Sequence, residues 1–307
     1  MTRPTLLSTS PMVNPVIGLL DAMLAAGLEP ADRGEIIADG HIHRFRVATD
    51  KPNTRNGWAV LHHDHGAAGS WKSGATVTWS AKSTTRMTRQ EKDAFYAAMR
   101  QAKVEAQRQR EAEQQAAAER AALLWSKAQP ASADHPYLVR KRIPPGNARQ
   151  QAGLLALKIE DAQGDTRSLQ FIAADGAKRM LSGGAKRGHF IIVTGSLPAG
   201  RVIIAEGFAT ASTAATQFPG ACVLAAIDAG NLQPVAMAIR AKYPDSEIVI
   251  VADDDRLTPG NPGLTKARAA ASAVNGKVAR PVWPPGIPLE ATDINDLHIY
   301  MLGVCHD

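Results

Sequence analysis

The chain has 307 residues, 45% of them hydrophobic and 5% aromatic, and carries 35 Lys and Arg against 29 Asp and Glu, a net charge of +6. This length leaves room for two or three domains with cores of their own and excludes a small stapled scaffold. Two cysteines, Cys222 and Cys305, without CxxC spacing exclude a disulfide framework and a cysteine zinc site, and no apolar run nears the roughly 20 residues that span a bilayer.

With no basic-then-apolar leader, the chain is expected to be soluble and cytoplasmic, with no membrane partner. Residues 1–87 mix the short alternating segments HIHRFRVAT, GWAVLHHD and ATVTWS with Gly, Asn and Pro punctuation. That pattern predicts a small β-rich domain with Trp58, Trp71 and Trp79 in its core, or with one or two of them free to stack bases of a template. His41, His43, His62, His63 and His65 crowd the same region. HxH in a strand can chelate, but with no cysteine and no clear fourth ligand no zinc is expected, and the unit reads as ribbon-like without a metal. Residues 88–128 follow as a connecting helix. Thr88 and Glu91 have capping-box spacing, and Ala, Gln, Glu, Arg and Lys then run to about Ser126 without Gly or Pro. Polar residues all round predict an exposed arm, closed by Leu123, Leu124 and Trp125.

Residues 129–200 open on the loops PASADHP and RIPPGNA and continue with two predicted strands, LLALKIED and TRSLQFIA, joined across AQGD. The charge here is one-sided. Pro136 to Ile159 holds five Lys or Arg and no acid, and Gly176 to Ala205 again holds five and none. Such runs are either solvated faces or a groove for a polyanion. From Arg201 the period changes: RVIIAE, CVLAAI, IVIVAD and KVARPVW alternate with helical segments 209–218, 234–243 and 264–274. The alternation predicts an α/β domain over 201–307, a parallel sheet with helices on both faces, following an α+β N-terminal unit, the helical arm and a basic α+β subdomain over 129–200. Cys222 lies in an apolar strand and reads as packed.

In such sheets ligands gather at the carboxyl ends of the strands, where this sequence puts Glu206, Asp228 and the run Asp253, Asp254, Asp255. Alternate side chains of extended backbone share a face, so Asp253 and Asp255 form a DxD pair with Asp254 turned away. ATDINDL adds Asp293, Asn295 and Asp296 downstream. An all-oxygen donor set suits magnesium or manganese, and a divalent cation relieves the repulsion among adjacent aspartates. The plain alternative is that these acids are loop residues and helix caps; three strand ends giving E, DxD and DxND in order weigh against it. GNPG at Gly260 to Gly263 is equally a phosphate cradle or a turn.

The motifs EGF at Glu206 to Phe208 and DDDR at Asp253 to Arg256 make residues 201–307 resemble a Toprim domain. HPYLVRKRI, SLQFIAADGAKRMLSGGAKRGHF, IDAGNL, GNPGLTKA and TDINDL extend the likeness toward primases of the conjugative-plasmid and prophage type. The resemblance implies a DNA primase, a nucleotidyltransferase making short RNA primers from ribonucleoside triphosphates on single-stranded DNA. It implies Glu206, Asp253 and Asp255 as catalytic and metal-binding carboxylates, with Asp293 and Asp296 near a second acidic motif. It also implies that Lys178, Arg179, Lys186 and Arg187 grip nucleotide and template. Arg256 is expected to neutralise triphosphate charge, and Asp228 and Asn231 either to contact substrate or to support the residues that do. Replicative primases carry an acid four residues after the motif glutamate; Thr210 stands there, which leaves the number of metals open. No GxxxxGK[ST] loop is present, so a helicase would be a separate partner. A Toprim nuclease and a non-catalytic single-strand-binding replication protein are the alternatives.

Overall fold

Asn14 and Pro15 begin the first element, and the computed structural model describes residues 14–81 and 89–304. The chain divides into two compact units, Met1–Arg110 and Glu111–Asp307. In the first, the Asn14 side chain accepts from Val16 N at 3.0 Å and Pro15 sits at the start of helix α1 (Pro15–Ala25), where its missing N–H leaves no bond unmade. The β-rich expectation for 1–87 omitted this helix, although apolar residues at 16, 19, 20, 23 and 24 carry its period. Strands β1 (Ile42–Phe45), β2 (Gly57–Leu61), β3 (His65–Ser70) and β4 (Thr76–Ser80) form an antiparallel meander in that order. The sequence of β3, HGAAGS, lacks β-branched residues and was not predicted as a strand. Its small residues answer to close approach: a Cβ on Gly69 would meet the Trp58 ring at 2.8 Å.

The core of this unit is Leu19, Met23, Leu28, Phe45 and Leu61, not the tryptophans. Trp79 packs against it, Trp58 is half-buried and Trp71 is 39% exposed. Strand alternation explains the difference. Arg44 pairs with Trp58 across β1 and β2, so Trp58 lies on the face opposite Phe45 and Leu61. His43 bonds Asp39 at 2.8 Å and His65 bonds Asp64 at 2.6 Å, with the His62 and His65 rings stacked at 4.6 Å.

Helix α2 (Arg89–Lys127) runs 39 residues; Thr88, the predicted cap, and Cys305 lie outside the described residues. In its C-terminal half Ala117 and Ala121 are fully buried and Arg120 Nη2 donates to Ser182 O at 2.9 Å. An alanine seam of i, i+4 spacing thus packs a helix whose composition reads as exposed all round.

In the second unit, β5 (Gln129–Pro130), α3 (Pro136–Lys141), β6 (Arg149–Gln151), β7 (Leu154–Glu160), β8 (Thr166–Ile172) and β9 (Lys178–Met180) follow, the strands forming one antiparallel sheet in chain order. Then come β10 (Ile191–Thr194), β11 (Arg201–Ala205), α4 (Phe208–Gln217), β12 (Cys222–Ala225), α5 (Leu232–Lys242), β13 (Glu247–Val251), α6 (Pro262–Ala273), β14 (Lys277–Ala279) and α7 (Ile294–Val304). The second sheet is ordered β10-β12-β11-β13-β14, parallel except for the edge strand β10. KVARPVW yields only the short β14, since Pro281 has no N–H to continue a ladder.

Alternation along the parallel strands separates two cores. Ile203, Ala205, Val223, Val249 and Val251 face one side with Phe208 and Ala211 of α4 and Leu155, Leu157 and Ile159 of the first sheet. Val202, Ile204, Leu224, Ile248 and Ile250 face the other with α5 and α6. Helices therefore cover both faces, as the apolar runs predict. The expected boundary at residue 200 does not divide the fold, because β10 belongs to the second sheet and the first core is shared across it. Ile204, fully buried among α5, α6 and its neighbouring strands, sets a test of this packing. Ile204→Ala is expected to cost about 3 kcal/mol and to lower the midpoint of thermal unfolding by roughly 10 °C.

Candidate active site

Parallel strands β11, β12 and β13 end on one edge of the sheet, and the acids that follow them line that rim. Glu206 follows β11, Asp228 follows β12 and Asp253 to Asp255 follow β13, while Asp293 and Asp296 stand at the start of α7. Asp253 is the centre of the group. Its Oδ1 is sealed from solvent and has no hydrogen-bond partner. Burial pushes its pKa up to about 8, helped by repulsion from Asp293, Glu206, Asp255 and Asp296 in that order. Glu206 is likewise raised by burial, with Asp255 and Asp228 adding repulsion and an Ala229 backbone N–H opposing it.

The neighbours of Asp253 are pinned by short local bonds. Asp255 Oδ2 accepts from Gly263 N at 2.8 Å. Asp293 Oδ1 accepts from Asp296 N at 2.8 Å and its Oδ2 from the buried Thr210 hydroxyl at 2.9 Å. Asp296 Oδ2 accepts from Thr292 N at 3.0 Å, and its Oδ1 lies 3.6 Å from Lys141 Nζ. Asp293 and Asp296 thus cap α7 while facing Asp253. Asp254 is turned away, as alternation predicts: buried, it accepts from Asn261 Nδ2 at 2.6 Å and Trp283 Nε1 at 2.7 Å. Burial works to raise its pKa. Those two bonds, with the charges of Arg256 and Arg280, outweigh it and hold the carboxyl below the usual range.

The donor set suits a hard divalent cation, being all oxygen, with one buried carboxylate oxygen unpartnered. Among the described residues no three His, Cys, Asp or Glu side chains converge closely enough to grip one ion as they stand. The residues fit the ion by chemistry and by the free Asp253 oxygen.

Of the predicted basic residues, Lys178 and Lys186 reach the rim. A Cβ on Gly207 would lie 3.8 Å from Lys178 Nζ, and Lys186 Nζ pairs with Asp228. Arg179 and Arg187 are exposed on the same segments. Asn231 is not available as a substrate contact. It is 2% exposed, and its Nδ2 lies 2.9–3.0 Å from the Lys186, His189 and Ala226 carbonyls, while Oδ1 accepts from Gly188 N at 2.8 Å. Its whole capacity goes into tying the 186–189 loop to the end of β12. Asp228 shares this work by capping the turn that follows, accepting from Asn231 N at 3.1 Å. Arg256 is also occupied: Nη2 donates to Pro288 O at 2.7 Å and Ala291 O at 3.0 Å, and its guanidinium lies 4.3 Å from the centre of the Trp283 ring. GNPG is a turn, not a cradle. Asn261 caps α6 through Leu264 N, and a Cβ at Gly263 would meet Asp253 O at 2.8 Å, so only glycine lets α6 start there.

The sequence reading gave Tyr137, Lys141 and Lys266 no role. Tyr137 is buried near Asp293, and burial first, then that charge, pushes its pKa up to about 12. Lys266 lies near enough to Glu206 to favour its charged form. HPYLVRK, which forms the short α3, delivers both Tyr137 and Lys141 to the acids; the motif was visible, its destination was not.

Residues 201–301 match the Toprim domain family. Two Escherichia coli proteins named DNA primase TraC are 37% and 34% identical to the chain, each over 90% of it. The chain spans only 27% and 20% of their lengths. The primase fragment of the bacteriophage T7 primase-helicase protein aligns with 53% of this chain and 69% of its own at 16% identity, with a TM-score of 0.40. The resemblance carried by the EGF, DDDR and TDINDL motifs is borne out by the first two comparisons. No helix among the described residues is long and apolar enough to cross a membrane.

The raised Asp253 pKa makes a stability prediction in chelator. The folded chain keeps this proton between about pH 4 and pH 8, where the unfolded chain has lost it. Stability contributed by the protonated group is therefore complete below pH 4 and declines as pH rises to 8. Asp253→Asn removes that decline. In thermal unfolding with EDTA the variant is expected to have a higher midpoint than the parent above pH 8 and to converge with it near pH 4. Equal midpoints at pH 8.5 would refute a desolvated, repelled carboxyl.

Proposed function

We propose that the chain holds the nucleotidyl-transfer centre of a DNA primase, joining ribonucleotides on a single-stranded DNA template with magnesium or manganese. The observation that carries this reading is the meeting of two opposite features at one rim. Asp253 keeps an unpartnered oxygen amid Glu206, Asp255, Asp293 and Asp296, and Lys178 and Lys186 are brought beside them from a different sheet and loop.

Two nucleoside triphosphates and a template are polyanions, which a carboxylate rim repels unless divalent cations bridge carboxylate to phosphate. Glu206, Asp253 and Asp255 are the residues that would hold such a cation, with Asp293 and Asp296 behind them. A bound cation there supplies a lower pKa for the attacking 3′-hydroxyl and charge neutralisation for the departing pyrophosphate. Lys178 and Lys186 bind triphosphate oxygens, Lys186 exchanging its Asp228 partner for phosphate. Arg179 and Arg187, exposed on the same two segments, follow the template backbone. Thr210 holds Asp293 in place through its hydroxyl, a positioning task in which an acid at that point would instead add charge. The similarity to relatives named DNA primase supports transfer over cleavage.

Incubating the chain with single-stranded DNA, manganese and labelled ribonucleotides tests the reading. Extension products are expected. Asp253→Asn and Asp255→Asn should lower incorporation by at least about 100-fold with template affinity within about twofold, since in this reading the basic residues hold the template backbone. Lys178→Ala should raise KM for ribonucleotide about tenfold, the worth of one charge-assisted bond. Shortened template without incorporation would identify a nuclease instead. Template binding with neither reaction, unchanged in both aspartate variants, would identify a single-strand-binding protein.

A further inference from the structure

Arg256 and Trp283 approach the rim without joining it, and their contacts meet on the aspartate of the triplet that faces away. Asp254 is 6% exposed and takes the Trp283 indole N–H at 2.7 Å. Its backbone N–H donates to Thr292 O at 2.6 Å. Arg256 lies over the same indole, 4.3 Å from its centre, and Nη2 holds the carbonyls of Pro288 and Ala291. These contacts all reach into residues 280–293, a stretch without helix or strand. No ladder fixes its path, so its shape rests on such tethers. The stretch ends at Asp293, whose oxygens receive Asp296 N and Thr210, and from there both acids look at Asp253.

We infer that Asp254, Arg256 and Trp283 form a brace that positions Asp293 and Asp296 against Asp253 and so sets the affinity of the acid cluster for a divalent cation. All three are positioning residues. This rests on the reading that the cluster binds such a cation. The geometry favours a brace over incidental packing for a physical reason. A planar guanidinium laid on an indole, with its Nη2 donating to two carbonyls, fixes both distance and angle, whereas a flexible lysine ammonium in its place has no plane to lie on the ring. The buried carboxylate beneath fixes the indole in turn. Outer groups of this kind commonly change metal affinity by about 10–100-fold when removed, because they decide where the ligands stand before the ion arrives.

Two variants of the full chain test the brace independently. Trp283→Phe keeps a ring under Arg256 and deletes the N–H to Asp254; Arg256→Lys keeps the charge and loses the planar group over the indole. Manganese affinity is measured by calorimetry and by the electron paramagnetic resonance of free manganese, with no nucleotide or DNA present. Each variant is expected to bind manganese about 10–100-fold more weakly than the parent. In the incorporation assay its half-saturating manganese should rise by a like factor, while the rate at saturating manganese recovers. Ile239→Ala, which opens the core toward the C-terminal end of α5 and touches neither the acids nor the brace, should keep manganese affinity within about twofold and so separates positioning from general loss of stability. Unchanged manganese affinity in both brace variants, with only a lower unfolding midpoint, overturns the inference, as does a parent chain that binds no manganese. Brace-dependent manganese binding in a chain that incorporates no ribonucleotide supports the brace and sinks the primase reading alone.

Discussion

Mutual repulsion among carboxylates at the end of an apolar sheet is the constraint around which the second unit is arranged. The strand leading to Asp253 is buried throughout its last four residues, so the chain enters the rim from a region that cannot solvate charge. Backbone N–H groups of Ala229, Gly263, Thr292 and Asp296 are turned onto the acids, and Lys141 and Lys266 approach from two helices. What these donors leave unsatisfied is concentrated on one atom, Asp253 Oδ1. A carboxyl surrounded by others at the end of a buried strand costs stability, and perturbed titration in such a place is a physical ground for proposing a site there.

The two explanations weighed for the acids, caps and ligands, describe the same side chains. Asp228 caps the turn Ala229–Asn231, Asp255 receives the first turn of α6, and Asp293 with Asp296 caps α7. A carboxylate has about four lone pairs and a cap uses one or two. The remaining ones point where the cap aims them. Capping therefore fixes rotamers that an isolated loop acid would lose, and each helix start becomes a mount for an oxygen ligand. A rim built this way holds its acids in fixed rotamers along one edge of the sheet, although among the described residues no three of them converge on one point as they stand.

Much of the second unit was legible in the sequence because its signals are local. Apolar runs of four or five residues separated by helices predict a parallel sheet, and the order of strand ends places Glu206, Asp228 and Asp253 on one edge. Alternation alone turned Asp254 away from its neighbours. Side-chain duties set by distant partners were not legible. Asn231 bonds carbonyls 42 and 45 residues earlier, and Arg256 bonds carbonyls 32 and 35 residues later, so neither partner is encoded beside the residue. Both look like exposed polar loop residues in sequence. In the first unit the errors run the other way. Tryptophan predicts core, yet register put Trp58 on the opposite face, and β3 lacks every strand-favouring residue because a neighbouring ring needs its space.

The segregation of charge along the chain, a basic middle followed by an acidic end, dissolves in three dimensions. Strand β10 carries the residues after Lys186 and Arg187 into the edge of the parallel sheet, and the Phe190–Glu160 bridge fastens the same segment to the first sheet. Asn231 then locks the intervening loop to the end of β12, and Lys186 meets Asp228. Because that segment is bonded to both sheets and the core is shared between them, the separation of cation and carboxylate is set by sheet geometry and packing.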